Sequence, residues 1–393
     1  MGRDKHQDVI DSQKKTKAGG QHVEEEDDMD DPAAQLHQNL QDAVSNALAM
    51  RRPILHHLSA DTAWLLMIPR PLAATRRGGR VYFNILIDPW LSGTQTDYIS
   101  WLSKQWHADE PRVPSIAAVE DLIRETESLA SGLRSGKGKK SNGQDNEGLD
   151  EVETLIDAVA ISHQFTDHCH EQTMRDVHPD VPVFATEKAI PLIESWKHFR
   201  VVQTIPHFSQ DPDWHATSVP PLPEWLGISR LVTGSDLLYF HSALMITFNN
   251  QQKDEGAEAV IYTPHGIHSD SEGLDLVTKA NPPIKTLAFL HGLEDITLGA
   301  AQRLNLGAHN GLKAQRKLKA SYWIATHDED KKGTGIVGWL LRRKKISVKD
   351  AVEAERKRRT DSSSEDMACD EVLGSFEGVN WADVGNGESL VLQ

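Results

Sequence analysis

The sequence predicts an α/β fold that is built in layers. Short apolar runs alternate with helix-like segments between Ala158 and Ile205, and such a strand–helix–strand rhythm is typical of layered α/β proteins. A second group of short strand-like runs, between Ile228 and Thr263, is typical of another sheet in a sandwich. The chain has 393 residues, of which 38% are hydrophobic and 25% charged, which is enough for one large domain or two ordinary ones.

The individual elements follow from the spacing of apolar residues and from turn residues between them. The folded part is expected to begin near Pro53, with two strands, residues 54–59 and 62–68, in a hairpin. Further strands are expected at residues 80–87, 158–161, 181–185, 199–205, 228–232, 237–240, 244–248, 258–263, 284–290 and 320–325. Helices are expected at residues 115–133, 170–178, 187–196, 269–280 and 308–319.

The two ends of the chain and one internal segment differ in composition from a folded domain. Residues 1–52 carry a block of acidic side chains and are predicted to form a disordered acidic tail, in which a short helix over residues 33–50 stays open. Residues 132–149 are rich in Gly, Lys, Ser and Asn, and are predicted to be a disordered insertion in a domain that spans 53–342. Residues 343–393 are predicted to form a charged helix and then a disordered tail.

Composition and charge exclude several classes of protein. The net charge of −16 argues against a nucleic-acid partner, because such proteins usually present a basic face. The two cysteines argue against a disulfide scaffold and favour a reducing compartment. The chain contains no apolar run near the ~18 residues of a membrane span, and its beginning is too polar for a secretory signal. We therefore expect a cytoplasmic protein, and the basic residues between Arg342 and Arg359 are a candidate nuclear import signal.

One loop concentrates side chains that bind metal ions. Residues 157–171 read DAVAISHQFTDHCHE, so that an apolar strand is followed by His163, Asp167, His168 and His170. Neutral imidazole and carboxylate groups are the usual ligands of Zn²⁺, and of Fe or Mn. We therefore predict a metal site at the end of this strand, completed by ligands from distant parts of the chain.

This loop resembles the metal-binding loop of the metallo-β-lactamase superfamily, in which His-x-His-x-Asp-His directly follows a buried strand. His163, Asp167 and His168 match the pattern, whereas Phe165 stands at its second His. In that superfamily the first two His residues hold one metal ion, and the Asp-His pair belongs to the second. The resemblance therefore supports one of the two ion positions.

An earlier strand also resembles the superfamily, because it ends in Ile-Asp-Pro before a loop of small residues. The resemblance implies that its Asp88 orients the metal loop and does not bind the ion. It covers roughly residues 55–341, and it implies a four-layer αββα sandwich of the metallo-β-lactamase type. The Asp-Pro-Trp-Leu-Ser-Gly segment is most similar to the branch that contains bacterial sugar-phosphate lactonases and N-acyl-phosphatidylethanolamine phospholipase D.

Two later strand ends extend this resemblance. A strand predicted at residues 258–263 ends in Pro264-His265, where the superfamily has a Gly-Asp whose carboxylate bridges two ions. A late strand ends in His327, which corresponds to the last ligand of the superfamily. Neutral imidazole offers one lone pair and bridges poorly, so His265 and Phe165 together predict one ion rather than two.

The candidate ligands all follow apolar runs. They are His163, Asp167, His168, His170, His265 and His327. The predicted set is Asp167, His168 and His327, with His265 or His163 as a fourth, which leaves a position for water or substrate. A bound Zn²⁺ lowers the pKa of its water to ~7. Asp167 and His168 are the predicted catalytic residues, and the alternative for Asp167 is to stay off the ion and accept a proton from that water.

The surroundings of these residues give two further expectations. His170 is expected to point away from the ion if a helix has already begun there, and towards it if the loop is still extended. Each ligating His needs an acceptor for its other ring nitrogen, and Asp88 and Asp328 are the candidates.

The resemblance implies a metal-dependent hydrolase that acts on an ester, lactone or phosphodiester in a small-molecule or lipid-like substrate. Zn²⁺ is the expected ion, with Fe or Mn as alternatives. Two other functions stay open at this point. One is a metal-poor, catalytically reduced binding protein of the same fold, and the other is an iron-dependent oxidoreductase.

Overall fold

The computed structural model describes residues 32–75, 79–96, 104–134, 153–209, 213–234, 240–251, 255–299, 302–334, 341–362 and 379–393. The strands are β1 (Ile54–His57), β2 (Trp64–Pro69), β3 (Tyr82–Ile87), β4 (Thr94–Gln95), β5 (Lys104–Trp106), β6 (Ala158–Ile161), β7 (Val183–Ala185), β8 (Val202–Thr204), β9 (Leu226–Leu231), β10 (Ala243–Phe248), β11 (Ala257–Thr263), β12 (Ile284–His291), β13 (Glu294–Leu298), β14 (Gln302–Asn305), β15 (Tyr322–Ile324), β16 (Lys332–Thr334), β17 (Leu341–Lys345), β18 (Trp381–Ala382) and β19 (Ser389–Val391). The α-helices are α1 (Pro32–Met50), α2 (Ile116–Arg134), α3 (Glu171–Asp176), α4 (Ile190–Ser195), α5 (Glu272–Thr278), α6 (Ala308–Leu318) and α7 (Val348–Ser362).

Two large sheets lie at the centre of the described part of the chain. The first has the strand order β19-β1-β2-β3-β6-β7-β8, and the second has the order β18-β15-β12-β11-β10-β9. Two three-stranded sheets, β14-β13-β17 and β16-β5-β4, lie beside them. Most strands of the large sheets are buried on both faces, as is expected when each sheet is covered on two sides.

Three apolar clusters define four layers. One cluster packs α1 and α2 against the outer face of the first sheet, and includes Val44 and Val119. The second lies between the two sheets, where side chains such as Trp64 and Tyr262 meet. The third packs α5 and α6 against the outer face of the second sheet. The αββα sandwich that the sequence predicts is therefore present.

Parallel pairing brings the carboxyl ends of several strands to one edge. In the first sheet β3 runs parallel to β6, with Ile87 opposite Ala160, so the residues that follow the two strands are neighbours. In the second sheet β11, β12 and β15 run parallel, with Thr263 opposite His291 and Leu290 opposite Ile324. Crevices beside the carboxyl ends of strands are where open α/β sheets usually bind ligands.

The beginning of the described chain forms the helix that the sequence left open within the predicted disordered tail over residues 1–52. Residues 32–50 form α1, and its Leu40, Val44 and Ala47 are buried in the outer cluster of the first sheet. The amphipathic spacing of these apolar residues gives the helix a face that it buries against α2. Residues 1–31 lie outside the described residues, as does most of the insertion predicted at 132–149.

The end of the chain also differs from the prediction for residues 343–393. The charged segment begins as strand β17, and the helix α7 starts only at Val348. Strands β18 and β19 then add an edge strand to each large sheet, and Leu392 is fully buried between the sheets. Strands of two or three residues are too short to show a periodic pattern in the sequence. They form because a strand that is distant in the sequence supplies backbone hydrogen-bond partners.

Among the described helices, none combines the length and the apolar character that crossing a membrane requires.

Candidate metal centre

Asp88 fixes the loop that follows β6. It lies directly after β3 in a left-handed conformation (φ 41°), and its side chain is fully buried. Its carboxylate accepts hydrogen bonds from the backbone N–H of Ser162 (2.7 Å), from the hydroxyl of Ser162 and from Nδ1 of His168 (2.8 Å). Asp88 therefore orients the metal loop, as the resemblance implies.

His327 is held in the same way by a residue that the sequence analysis does not identify. Its Nδ1 lies 3.0 Å and 3.1 Å from the two carboxylate oxygens of Asp61, which is fully buried in the turn between β1 and β2. Its backbone N–H donates to the carbonyl of Asp61 at 3.0 Å. These contacts hold His327 in a left-handed conformation (φ 58°) that a non-glycine residue rarely adopts. The ring is thereby turned so that Nε2 faces away from Asp61.

Asn305 gives a third imidazole its orientation. His265 follows β11, and its Nδ1 lies 2.8 Å from the side-chain oxygen of Asn305, the last residue of β14. The Nε2 atom of His265 lies 3.1 Å from Nε2 of His168. Like His168 and His327, His265 has its Nδ1 at a polar acceptor and its Nε2 left for another partner.

Three imidazoles and one carboxylate therefore converge. The ring centroids of His168, His265 and His327 lie 4.9–5.1 Å apart in each pair. Asp167 completes the group, with Oδ1 at 3.6 Å from Nε2 of His168 and Oδ2 at 3.8 Å from Nε2 of His327. All four side chains are buried.

These donors suit a divalent ion. Two nitrogens that each lie about 2.0–2.1 Å from a tetrahedral Zn²⁺ are roughly 3.3 Å apart. The separations of 3.1 Å, 3.6 Å and 3.8 Å between neighbouring donor atoms are near that value. Asp167, His168 and His327 place one donor atom each within 4.8 Å of one another, and so do His163, His168 and His265.

Burial lowers the pKa of three of the four neighbouring imidazoles, and His168 is the exception. Burial, reinforced by neighbouring imidazoles, holds the pKa of His265 and of His163 well below the usual range. Burial likewise outweighs Asp61 and lowers the pKa of His327. Burial opposes a rise for His168 too, but Asp167 and Asp88 outweigh it and raise the pKa of that ring.

Lys331 is a further member of this group. Its Nζ lies 2.8 Å from Oδ2 of Asp61 and 2.8 Å from Oδ2 of Asp167. Burial would raise the pKa of both carboxyls, but Lys331 and the adjacent imidazoles hold the pKa of Asp61 and of Asp167 well below its usual range. Burial would lower the pKa of Lys331, and the two carboxylates raise it instead.

An aromatic side chain occupies the second His position of the superfamily pattern. Phe165 stacks on Phe240 with ring centroids 5.1 Å apart, and both rings meet His265 edge-on. Nε2 of His163 lies 3.1 Å from the carbonyl oxygen of Phe240. A carbonyl only accepts, so this contact is a hydrogen bond only in the tautomer with the hydrogen on Nε2, and that nitrogen then has no lone pair for an ion. Nδ1 of His163 lies 2.8 Å from the hydroxyl of Ser162.

Two candidates of the sequence analysis lie away from this group. His170 does not join the group, because the helix α3 has begun there and Nδ1 of His170 accepts from the N-terminal backbone of that helix, at Thr173. Asp328 does not orient a histidine. Its carboxylate accepts backbone N–H bonds from Leu293 and Glu294, and burial raises its pKa to about 7.

Sequence reasoning missed Asp61, Asn305 and Lys331. The available signals were a carboxylate in the turn between the first two strands and a lysine four residues after the late His. Neither is part of a motif, and both gain their roles only when the two sheets meet.

No protein-family profile and no curated protein sequence matches the chain. Solved structures are similar to it. A possible metal-dependent hydrolase from Veillonella parvula shares 12% identity with a TM-score of 0.48, over 87% of this chain and 100% of that one. An isothiocyanate hydrolase from Delia radicum gut bacteria shares 15% identity with a TM-score of 0.46, over 86% and 99%.

The metallo-beta-lactamase fold protein YhfI from Bacillus subtilis shares 10% identity with a TM-score of 0.40, over 86% of this chain and 99% of that one. The activity in the name of one of these proteins is a property of that protein. The likeness concerns the fold alone, the four-layer αββα sandwich that the sheets and helices of this chain form.

Proposed function

We propose that this chain is a metal-dependent hydrolase that uses one divalent ion held by Asp167, His168 and His327. The observation that carries the proposal is the matched orientation of two histidines. Nδ1 of His168 is held by Asp88 and Nδ1 of His327 by Asp61, and Asp167 lies near Nε2 of both. Carboxylate-held histidines are characteristic of metal sites, because the carboxylate fixes the tautomer and raises the basicity of the ligand.

The residues around these three have supporting roles in the proposal. When bound, the ion supplies Lewis-acid chemistry at the substrate. His265 offers a fourth nitrogen and is kept neutral by burial. Asp167 stays ionised beside Lys331, which is the state that a carboxylate ligand of the ion requires. Phe165 and Phe240 place a partly buried aromatic surface beside His265, which suits the apolar part of an ester, lactone or phosphodiester in a small or lipid-like molecule.

Metal content tests the proposal at its first step. Plasma mass spectrometry on the wild type is compared with His168→Ala, His327→Ala and, as the control, His170→Ala, which removes a nearby imidazole outside the group. The proposal predicts about one Zn²⁺, Fe or Mn per chain in the wild type and in the control, and a loss in the other two variants. A wild type that binds no ion after reconstitution contradicts it.

Hydrolysis tests the second step. The reconstituted protein is assayed with nitrophenyl esters, simple lactones and bis(nitrophenyl) phosphate. Turnover of at least one of these classes is expected, and it should disappear in His168→Ala and His327→Ala but persist in His170→Ala. Binding of an ion without turnover of any of them contradicts a hydrolase.

A second candidate is a binding protein that has reduced catalysis. Phe165 favours it, since an aromatic ring stacked on Phe240 stands at the motif position that the resemblance gives to a ligand of another ion. This candidate predicts an ion content below one per chain and no hydrolysis. Iron as the bound ion, with colour, would instead favour an oxidoreductase.

A further inference from the structure

His265 offers the candidate centre its fourth nitrogen, and the turn that carries it, His265–Gly266 after β11, is closely packed. Gly266 adopts a left-handed conformation (φ 80°). A Cβ atom at Gly266 would lie 2.8 Å from atoms of Leu306 and 2.9 Å from Nε2 of His291, so the backbone passes too close for a side chain. The N–H of Leu306 donates to the carbonyl of His265 at 2.9 Å. Leu306 and His291 therefore close one side of the turn.

A histidine just before β10 makes a further contact with this turn. Strands β10 and β11 pair antiparallel with Leu244 opposite Tyr262, and continuing that register places His241 opposite His265. Nδ1 of His241 lies 3.3 Å from the carbonyl oxygen of His265 and 3.2 Å from that of Gly266. Carbonyl groups only accept, so both contacts are hydrogen bonds in the tautomer with the hydrogen on Nδ1. One N–H is then shared by the two carbonyls of the turn.

The residues on either side of His241 also contact this part of the chain. His241 itself is only 8% exposed. The carbonyl of Ser242 accepts a hydrogen bond from the hydroxyl of Thr263, the last residue of β11, at 2.9 Å. Phe240 places its ring edge-on against His265, with ring centroids 5.5 Å apart. Three consecutive residues therefore contact the end of β11 and the turn that follows it.

The position of this turn decides where the ring of His265 lies. Asn305 holds Nδ1 of His265 at 2.8 Å, and Nε2 of His265 then lies 3.1 Å from Nε2 of His168. The bond to Asn305 fixes the rotation of the ring, whereas contacts with the backbone fix the point from which the side chain starts. Metal–ligand distances hold to within about 0.2 Å. A small shift of the turn would therefore take Nε2 of His265 out of the group.

We infer that His241 is a positioning residue of this centre, whose N–H holds the turn so that Nε2 of His265 reaches the ion as a fourth protein ligand. The inference deepens the proposed function and rests on it. His241 acts through His265 and is not itself a ligand, and it lies outside every motif in the sequence.

Two variants separate the N–H donor of His241 from the bulk of its ring. His241→Phe keeps a ring and removes the donor, whereas His241→Asn keeps an N–H near the position of Nδ1 and removes the ring. His268→Phe is the control, because His268 packs edge-on against His241 with ring centroids 4.9 Å apart but has no side-chain hydrogen bond to the turn among the described contacts.

The test measures metal binding by the full chain. Competition with a chromogenic chelator gives the affinity for Zn²⁺, and the visible spectrum of the Co²⁺-loaded protein reports the number of ligands. His265→Ala is the reference for a centre without the fourth ligand. His241→Phe is also made in the His265→Ala background, so that the two effects form a double-mutant cycle.

The expected results are distinct for each protein. His241→Phe binds Zn²⁺ about 10-fold more weakly than the wild type, and its Co²⁺ spectrum matches that of His265→Ala. His241→Asn and His268→Phe keep the affinity and the spectrum of the wild type. In the His265→Ala background, His241→Phe weakens binding no further, because its effect passes through His265. A histidine that only supports the fold would weaken binding in both backgrounds.

Several outcomes overturn the inference and leave the proposed function standing. One is wild-type affinity in His241→Phe or in His265→Ala, and another is an equal loss from His241→Phe in both backgrounds. If His241→Phe does not fold, His241→Asn decides: wild-type affinity and spectrum support the inference, whereas the weak binding of His265→Ala overturns it.

A wild type that binds no ion contradicts the proposed function, and the metal-free proteins then decide the inference. NMR of ¹⁵N-labelled histidines locates the ring signals of His265, which His265→Ala assigns. His241→Phe should displace these signals, and His241→Asn and His268→Phe should not. Unchanged signals in His241→Phe overturn the inference.

Discussion

Two buried carboxylates decide where two histidine rings face. Asp88 and Asp61 each accept a hydrogen bond from a ring Nδ1, and each is fully buried. An aspartate at such a position also influences which nitrogen of the ring carries the hydrogen. It favours the tautomer in which Nε2 has a free lone pair, and a neutral replacement would lose the negative charge that raises the basicity of that nitrogen.

Replacing Asp88 by Asn is therefore expected to weaken Zn²⁺ binding about 10–100-fold, because the ring of His168 loses its anionic partner. Competition with a chromogenic chelator measures the affinity. Asp213→Asn is the matched control, since Asp213 holds Nδ1 of His215 at 2.7 Å in the same kind of pair but is 46% exposed and belongs to no metal group. Equal affinities for the two variants would contradict the role of Asp88.

The residues of the site were predictable to different degrees. Asp88, Asp167 and His168 lie in or beside a recognisable loop pattern, so their part in the group followed from the sequence. Asp61 did not, because its partner His327 lies 266 residues further along the chain and meets it only through the sheets. The sequence did not identify Asn305 for the same reason, because it lies 40 residues beyond His265 and contacts it only in the folded chain.

Among the elements, the edge strand β19 shows how a short segment far along the chain completes a sheet. It pairs antiparallel with β1, with Leu55 opposite Leu390, and the following Leu392 is fully buried between the sheets. The sequence predicted the hairpin of β1 and β2 because its two strands are adjacent and apolar. It did not predict β19, because three residues are too few to show an alternation of apolar and polar side chains. The strand is stabilised by its pairing with β1, which lies far away in the sequence.

Replacing Leu392 by Ala should lower the free energy of unfolding by about 2–5 kcal/mol, since it leaves a cavity in the core between the sheets. Leu72→Ala is the control, because that side chain is 72% exposed. Urea unfolding followed by tryptophan fluorescence compares the two variants. If they lose the same amount of stability, the end of the chain is not part of the core.

Strand β1 also carries a buried histidine that makes stability depend on pH. Burial lowers the pKa of His56 to about 3, and its ring nitrogens contact Ser389 at 2.6 Å and the sulfur of Met67 at 3.2 Å. An unfolded histidine binds its proton below about pH 6.5. Between pH 6.5 and 3 the unfolded state therefore binds more protons, and stability falls as the pH falls.

His56→Leu should remove this contribution, which is about 1.4 kcal/mol per pH unit. Other buried histidines act in the same direction, so the wild type and the variant are compared as differences between pH 7 and pH 5. The loss of unfolding free energy over that interval should be about 2 kcal/mol smaller in the variant. An equal loss in both proteins would show that His56 is protonated in the fold.

At the scale of the whole molecule, the candidate centre lies where the two sheets meet. Asp88, Asp167 and His168 come from the first sheet and its loops, whereas His265 and His327 follow strands of the second. The layered fold was predictable because apolar runs of this length and order have few stable arrangements. The meeting of the strand ends at one site depends on the register in which the strands pair, and the local sequence pattern does not specify that register.

X-ray absorption spectroscopy at the zinc edge of the zinc-loaded protein tests whether Asp167, His168 and His327 hold one divalent ion. Such a centre predicts one zinc environment of nitrogen and oxygen at about 2.0–2.1 Å, with the scattering of two or three imidazole rings and no second metal nearby. A metal neighbour at about 3.5–4 Å would contradict a centre limited to one ion. A shell without imidazole, or with sulfur at about 2.3 Å, would contradict the centre of Asp167, His168 and His327 itself.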